Sequence, residues 1–379
     1  MLQNITLVIL SAGNSTRFEA KTKKQWLRID HNPLWLHVTK NLCSYYNFCS
    51  VIITAHSNEV AYMQNFIDED TNIKIIEGGD SRQASIKNAL NYVNSEYVMI
   101  TDVARACITK QMVSNLIDSK HKADCIVPYL AVSDTVIYAN KTINRDDVKL
   151  IQTPQLSNTK ILKDAVQTNI DFTDDSSAIK ANGGTVEYIL GSTIAQKLTF
   201  SKDIAQIECL NAPSNQTFTG FGYDVHQFED DKPMYLGGVK FDETYGFKAH
   251  SDGDVLIHAL IDALLGASGA GDIGEFFPDT DSKYKGANST KLLEDINRFI
   301  CNVGYEIVNI DISIIAQQPK INPYKNQIKQ SLSKLLNLPK QFINIKATTS
   351  EKMGFIGRAE GIAVHSVATL KYYNWRKQS

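Results

Sequence analysis

Asp224 and His226 stand two residues apart in Gly222-Tyr223-Asp224-Val225-His226. His258 closes the run His250-Ser251-Asp252-Gly253-Asp254-Val255-Leu256-Ile257-His258. On a strand, residues two apart point to the same face, so Asp224 and His226 can share one metal ion. With His258 they supply three nitrogen and oxygen ligands and leave a fourth position open, as a catalytic zinc site does. Asp254, His258 and Asp262 fall four apart and project from one face of a helix. Asp262 is then a candidate outer partner for a ligating imidazole. An isolated Asp-x-His pair is more often structural than metal-binding, and helix carboxylates can form a solvated face. Against that, Asp254 opens an apolar helix and Asp262 lies inside it, where an unpaired charge is costly.

A second constellation lies upstream. Leu10-Ser11-Ala12-Gly13-Asn14-Ser15-Thr16-Arg17 follows an apolar run, and Lys24-Gln25 come shortly after. A loop of small residues at a strand's end lets backbone N–H groups approach phosphates, which two nearby cations can neutralise. The Gly-Lys-Ser/Thr ending of a P-loop is missing. Alone, the loop reads equally well as an ordinary turn with solvated charges. Further pieces shift the balance: Gly78-Gly79-Asp80-Ser81-Arg82 with Ser85, and Asp102-Val103-Ala104-Arg105, whose acid could hold Mg²⁺. Ser133-Asp134-Thr135, Arg145, Thr153-Pro154-Gln155 and Lys197-Leu198-Thr199 complete the series. Each has a bland alternative, a capping turn for Asp and Ser or a surface ion pair for Arg and Lys.

The elements that must position these residues come in two patterns. Up to about residue 210, short apolar runs at 6–10, 51–54, 74–77, 97–101 and 125–128 alternate with helix-like stretches such as 82–93. This rhythm predicts a doubly wound, Rossmann-like α/β sheet with its ligand site beyond the carboxyl ends of the strands. The rhythm breaks at residues 211–216, which have a linker's composition. After it come strand-like alternation from Phe218, helices at 254–265 and 290–303, and an apolar strand at 308–316. That pattern predicts an α+β domain, a sheet packed by helices. The expected organisation is therefore a domain at 1–210, a linker at 211–216 and a domain at 217–379.

Bulk properties narrow the class. A chain of 379 residues exceeds what one hydrophobic core usually supports. Thirty-nine Lys and Arg nearly balance forty-one Asp and Glu, which argues against a nucleic-acid or membrane-surface partner. The six cysteines are scattered without a Cys-x-x-Cys pair, so neither a disulfide framework nor a thiolate zinc site is expected, and a reducing cytoplasm fits. The apolar run near the start is too short to span a membrane and lacks a basic leader.

In this order, the upstream motifs resemble the 2-C-methyl-D-erythritol 4-phosphate cytidylyltransferase family over roughly residues 1–210. The resemblance implies that Arg17 and Lys24 grip the triphosphate of CTP, with Ala12 and Gly13 in the loop beside it. Gly79, Asp80 and Ser85 would hold cytosine and ribose, and Asp102 and Arg105 would sit beside ribose and Mg²⁺. Thr135, Arg145 and Lys197 would receive the methylerythritol phosphate. The family usually has Pro where this chain has Lys23, and His-Asp-Ala-Ala-Arg-Pro where it reads Thr101-Asp102-Val103-Ala104-Arg105-Ala106.

Residues 217–375 resemble 2-C-methyl-D-erythritol 2,4-cyclodiphosphate synthase. The likeness adds Gly271-Asp272-Ile273-Gly274, Phe277-Pro278-Asp279-Thr280-Asp281, Ala316-Gln317-Gln318-Pro319-Lys320, Ala347-Thr348-Thr349-Ser350-Glu351-Lys352 and Gly357-Arg358-Ala359-Glu360-Gly361 to the motifs above. Ser350 and Ala359 stand where Thr and Gly are common. By this resemblance Asp224, His226 and His258 bind Zn²⁺ or another divalent cation, His250 and Ser251 hold phosphates, and Asp272 and Gly274 take the erythritol hydroxyls. Lys320, Ala347 and Thr348 contact the CDP moiety, as does Thr349, which counts among the catalytic groups. Glu351 binds a Mg²⁺, Arg358 lies near the phosphates or a threefold axis, and Asp279 and Phe355 line the substrate. His31, His37, His56, His121 and His365 read as structural or surface residues.

Together the two likenesses imply one chain with both activities. It would transfer CMP from CTP to methylerythritol phosphate, and cyclise a phosphorylated CDP-methylerythritol with release of CMP. A kinase acts between these steps, and the chain shows no sign of one. The cyclase family is trimeric and the cytidylyltransferase family dimeric, which points to a homo-oligomer, a hexamer if both contacts form. The rivals are a sugar-nucleotide pyrophosphorylase joined to a metal-dependent phosphatase, and an active cyclase joined to an inactive nucleotide-binding scaffold. The scaffold reading predicts loss of Arg17 or Lys24, and both are present.

Overall fold

Ile5, Leu7, Val8 and Ile9 are wholly buried, as are Val51, Ile52 and Ile53. Runs that are apolar on both faces belong at the centre of a parallel sheet covered by helices. The computed structural model, which describes residues 4–378 except 169, 171, 208, 250, 279 and 285, forms such a sheet. Its contacts divide the chain into two compact units, one of residues 1–213 with 374–379 and the other of 214–373. Residues 374–379 were expected with the second domain. Their described part, residues 374–378, packs in the first unit, where the buried Trp375 donates its indole N–H to the Arg28 carbonyl at 2.7 Å.

The first unit runs β1 (Ile5–Leu10), α1 (Leu34–Tyr45), β2 (Ser50–Ala55), β3 (Ile73–Glu77), α2 (Arg82–Leu90), β4 (Tyr97–Asp102), α3 (Lys110–Asp118) and β5 (Cys125–Ala131). It continues with β6 (Lys149–Ile151), β7 (Gln155–Asn158), α4 (Thr159–Ala165), α5 (Asp175–Ala181) and β8 (Val186–Leu190). The 8-stranded sheet has the order β6-β5-β7-β4-β1-β2-β3, with β8 paired to β5. β4, β1, β2 and β3 are mutually parallel, and β7 runs antiparallel between β4 and β5. The chain leaves β1 to one side for β2 and β3 and crosses to the other for β4. The crevice between the ends of β1 and β4 is therefore a switch point where ligands bind. Between β5 and β6 a hairpin, Val136–Tyr138 with Lys141–Ile143, exposes Ile137 and Tyr138.

The second unit contains β9 (Thr217–Asp230), β10 (Tyr245–Phe247), α6 (Val255–Ser268), α7 (Ser289–Asn302), β11 (Tyr305–Ile315), α8 (Lys325–Leu336), β12 (Ile343–Thr348) and β13 (Gly361–Tyr372). Its sheet order is β10-β9-β13-β11-β12. α6 is apolar nearly all round and lies on β9 and β13, with Leu256, Leu260 and Leu264 wholly buried. Gly220 and Gly222 let strand and helix touch backbone to backbone, since a Cβ at either would run into α6 at Ala263 or Ala259. That approach sets Asp224 and His226 against His258.

Asp254 caps α6, and its buried carboxylate accepts from Ile257 N at 3.1 Å, Gly237 N at 2.9 Å and Gly238 N at 2.7 Å. Three backbone donors explain a charge at the head of an apolar helix without any metal.

Candidate active sites

The crevice of the first unit encloses about 480 Å³, within the range of small-ligand sites. Its lining includes Ala12, Gly13, Arg17, Lys24, Gly79, Asp80, Ser85, Asp102 and Lys197, nine of the residues expected from sequence. The loop after β1 supplies Ala12, Gly13 and, on a short 3-10 turn, Arg17. Lys24 begins a second such turn and donates through Nζ to the Leu198 carbonyl at 3.1 Å. Ser85 Oγ accepts from Gly79 N at 3.0 Å and so holds the glycine turn after β3.

Positive charge dominates the site. Burial lowers the Lys24 pKa, and the nearby Lys197 and Arg17 lower it further. Asp102, at the end of β4, meets Lys197 Nζ at 2.5 Å and Arg82 Nε at 3.5 Å. Burial alone would raise its carboxyl, but these cations bring it below the ordinary range. Arg82 is anchored in turn on the buried Asp175 at 2.9 Å. A cluster of cations around one carboxylate, at the carboxyl ends of parallel strands, is suited to a polyphosphate.

Some expected residues sit elsewhere. Arg105 is only 9% exposed, and its guanidinium donates to Thr153 Oγ1 (3.1 Å) and to the carbonyls of Ala195 (2.8 Å) and Ile151 (3.3 Å). It braces the crevice from behind and is absent from its lining. Thr135 and Arg145 lie beside the exposed hairpin, with Arg145 bonded to the Ser133 carbonyl, and they too are outside the lining. Conversely His56, read from sequence as structural or surface, lines the crevice. Cys107 and Cys209 form a disulfide with Cα atoms 6.3 Å apart. Their separation of 102 residues hid this pairing from the spacing argument.

In the second unit Asp224, His226 and His258 converge, with one ligand atom from each within 4.8 Å of the others. Asp224 Oδ2 lies 3.2 Å from Nδ1 of both His226 and His258. Burial would raise the Asp224 carboxyl, but the two imidazoles hold it down to about 2. The trio fits a divalent metal ion, and among the described residues it is the one such cluster. The other nitrogen of His258 faces Ser289 Oγ at 3.0 Å and Ser251 Oγ at 3.2 Å. Ser289 Oγ in turn donates to Asp252. Asp262, expected to orient an imidazole, instead accepts from Ile273 N at 2.9 Å, so the outer partner of His258 is a serine.

The remaining expected residues of this unit fall in two places. Asp272 caps the short helix Ile273–Phe276, with Gly274 exposed within it. Ala347 and Thr348 end the edge strand β12, and Thr349 Oγ1 donates to Glu351 at 2.8 Å in the turn beyond. Lys320, Phe355 and Arg358 are exposed, and Arg358 forms a two-pronged ion pair with Glu360. The register puts Asp224, Val364, Ile314 and Ala347 in one row across the sheet. Three inter-strand steps of about 4.8 Å separate the metal trio from Ala347 by about 14 Å within one chain. His250 and Asp279 lie outside the described residues.

A switch-point crevice rich in cations and a trio of residues able to hold a divalent ion fit a nucleotide-binding transferase joined to a metal-dependent phosphate enzyme. Residues 5–211 match the model of the 2-C-methyl-D-erythritol 4-phosphate cytidylyltransferase family, and residues 217–371 that of the YgbB family. The bifunctional enzyme IspD/IspF of Aliarcobacter butzleri is 62% identical over 375 residues, covering 99% of this chain and all of that protein. Its counterpart in a Sulfurovum species is 51% identical over 377 residues, covering 100% of both. The solved structure of the bifunctional IspDF from Campylobacter jejuni matches with a TM-score of 0.89 and 48% identity, over 98% of this chain and 100% of that one. The chain belongs to the bifunctional IspD/IspF family and carries both the cytidylyltransferase and the cyclodiphosphate synthase activity of the methylerythritol phosphate pathway. Among the described residues no helix is long and apolar enough to cross a membrane.

Proposed function

We propose that the crevice of residues 5–211 performs the cytidylyl transfer and the Asp224–His226–His258 centre the cyclisation. The cation cluster around Lys24 carries the first assignment. In it a phosphate oxygen of methylerythritol phosphate attacks the α-phosphorus of CTP in line, and pyrophosphate leaves. Arg17 and Lys24 offset the charge that develops, while Gly79, Asp80 and Ser85 hold the nucleoside. Lys197, now paired with Asp102, would turn to an incoming phosphate, and the Asp102 carboxylate would then be free to hold Mg²⁺.

In the second site the 2-phosphate attacks the β-phosphorus of the same substrate and CMP leaves. The nucleophile is already an anion, so no general base is needed. Asp224, His226 and His258 would hold Zn²⁺ and Glu351 would hold Mg²⁺, charge that would orient the phosphates and offset their repulsion. Ser251 sits beside His258 to take a phosphate oxygen. Lys320, Ala347, Thr348 and Thr349 take the CDP moiety.

The separation of about 14 Å between trio and Ala347 supports a cyclase site shared between copies, each giving metal ligands to one site and CDP contacts to the next. The exposed hairpin that carries Thr135 and Arg145 away from their own crevice supports a second kind of contact, between first units. Trimeric and dimeric contacts together build a hexamer. The substrates, CTP and phosphorylated sugars, support a cytoplasmic enzyme.

Complementation tests this reading. Asp224→Ala and Glu351→Ala should each abolish cyclisation alone. Co-expressed at equal levels, they should recover about a quarter of wild-type turnover, because random assembly pairs an intact metal half with an intact CDP half that often. A mixture as inactive as its parents would contradict a site shared between copies.

A further inference from the structure

Glu59 follows β2, outside every residue assigned to the crevice, and is only 3% exposed. A buried carboxylate is retained only where its charge is met. Here one oxygen meets Lys23 Nζ at 2.5 Å. The other accepts from Trp26 Nε1 at 2.7 Å and Gln25 Nε2 at 3.3 Å. One carboxylate thus holds residues 23, 25 and 26, and the residue they bracket is Lys24.

The hold extends to the loop after β1. Gln25 Nε2 also donates to the Gly13 carbonyl at 3.1 Å, and its Oε1 accepts from Ser15 Oγ at 3.2 Å. Ser15 Oγ accepts from Lys24 N at 3.0 Å. Ser15 has φ 56° and Glu19 φ 52°, a left-handed backbone that L-residues avoid unless their surroundings fix it. Gln25 is itself buried, so its amide cannot exchange these partners for water. If Glu59 served only to satisfy the Trp26 indole inside its aromatic cluster, one oxygen would be enough. The second charge-paired oxygen and the relay through Gln25 tie the loops after β1 and β2 to the Lys24 turn.

We infer that Glu59 is a positioning residue for CTP: it fixes Lys24 and the Gly13–Ser15 backbone in the geometry that receives the triphosphate. The inference rests on reading the crevice as the CTP site. Lys23, whose place the family usually gives to proline, is in this chain the cationic half of the clamp.

The test uses the full-length protein: calorimetric titration with CTP and Mg²⁺, followed by steady-state kinetics for both substrates. Glu59→Gln should weaken CTP binding by about 10- to 100-fold, the scale of an ångström-level misplacement. The KM for methylerythritol phosphate should stay within about twofold. Because Glu59→Gln strands the Lys23 charge, the double variant Lys23→Met with Glu59→Gln separates stability from positioning. Its melting temperature should return to that of the wild type while CTP binding stays weak. The inference is overturned if Glu59→Gln binds CTP as the wild type does, or if the double variant recovers stability and CTP affinity together. A wild-type protein that binds no CTP would remove the reading of the crevice, and the inference with it.

Discussion

Lys24→Ala should lower the kcat of cytidylyl transfer by about 100- to 1,000-fold, the loss of about 2.7–4 kcal/mol typical of removing one preorganised group that stabilises developing charge. Lys24 is half-buried among Lys197 and Arg17, and its pKa is already depressed by that environment. The three cations repel one another, and on the proposed mechanism a polyphosphate would relieve that repulsion most when charge builds on the α-phosphorus. Among the described residues the side chain's own structural tie is a single bond to the Leu198 carbonyl, so the fold should not notice its removal. Relief of repulsion offsets that lost bond. Thermal unfolding and cyclase turnover of the same preparation should match the wild type. A variant that loses both activities and its melting transition would instead mark Lys24 as a structural residue.

His258→Ala should abolish cyclisation and leave cytidylyl transfer unchanged. It removes one of the three proposed metal ligands, whose donor atoms lie within 4.8 Å of one another. Loss of an outer partner alone costs about 10- to 100-fold in metal affinity. Loss of a ligand should exceed that, so the purified variant should carry no metal at the second unit by atomic absorption. Alanine at 258 also leaves Ser289 and Asp252 intact, and Asp254 still caps α6 through its own three donors. The helix should therefore stay folded, and a far-ultraviolet spectrum should not change. Retention of a full metal complement would place the ion elsewhere.

Sequence patterns reach far into this molecule where chemistry and element period coincide. Asp224 and His226 are legible because a strand's two-residue period puts them on one face, and His258 because a motif carries it. The loop after β1 and the glycine turn after β3 are legible because small residues at strand ends have few other uses. What stays hidden depends on partners brought in by folding. Asp254 looks like a metal-site acid until Gly237 and Gly238 arrive from a separate segment to share its carboxylate. Asp262 has helical spacing from His258, yet the nearby Ile273 N–H claims it first. Ser289, the partner that His258 does have, lies 31 residues away in a segment with no ligand-like pattern. Arg105 reads as a crevice cation because of its neighbour Asp102, but three acceptors turn its guanidinium inward. Glu59 carries no signal at all, since its importance lies in three donors that stand 36, 34 and 33 residues before it.

The central claim is that one chain performs two phosphoryl reactions at two separate sites, and phosphorus NMR of the intact protein tests it most directly. One tube holds methylerythritol phosphate, CTP and Mg²⁺, and a second holds the phosphorylated CDP-methylerythritol with zinc and Mg²⁺. Pyrophosphate and CDP-methylerythritol should appear in the first, and cyclic diphosphate with CMP in the second. A first tube that stays silent while the second reacts would contradict the claim and leave the first unit a nucleotide-binding scaffold.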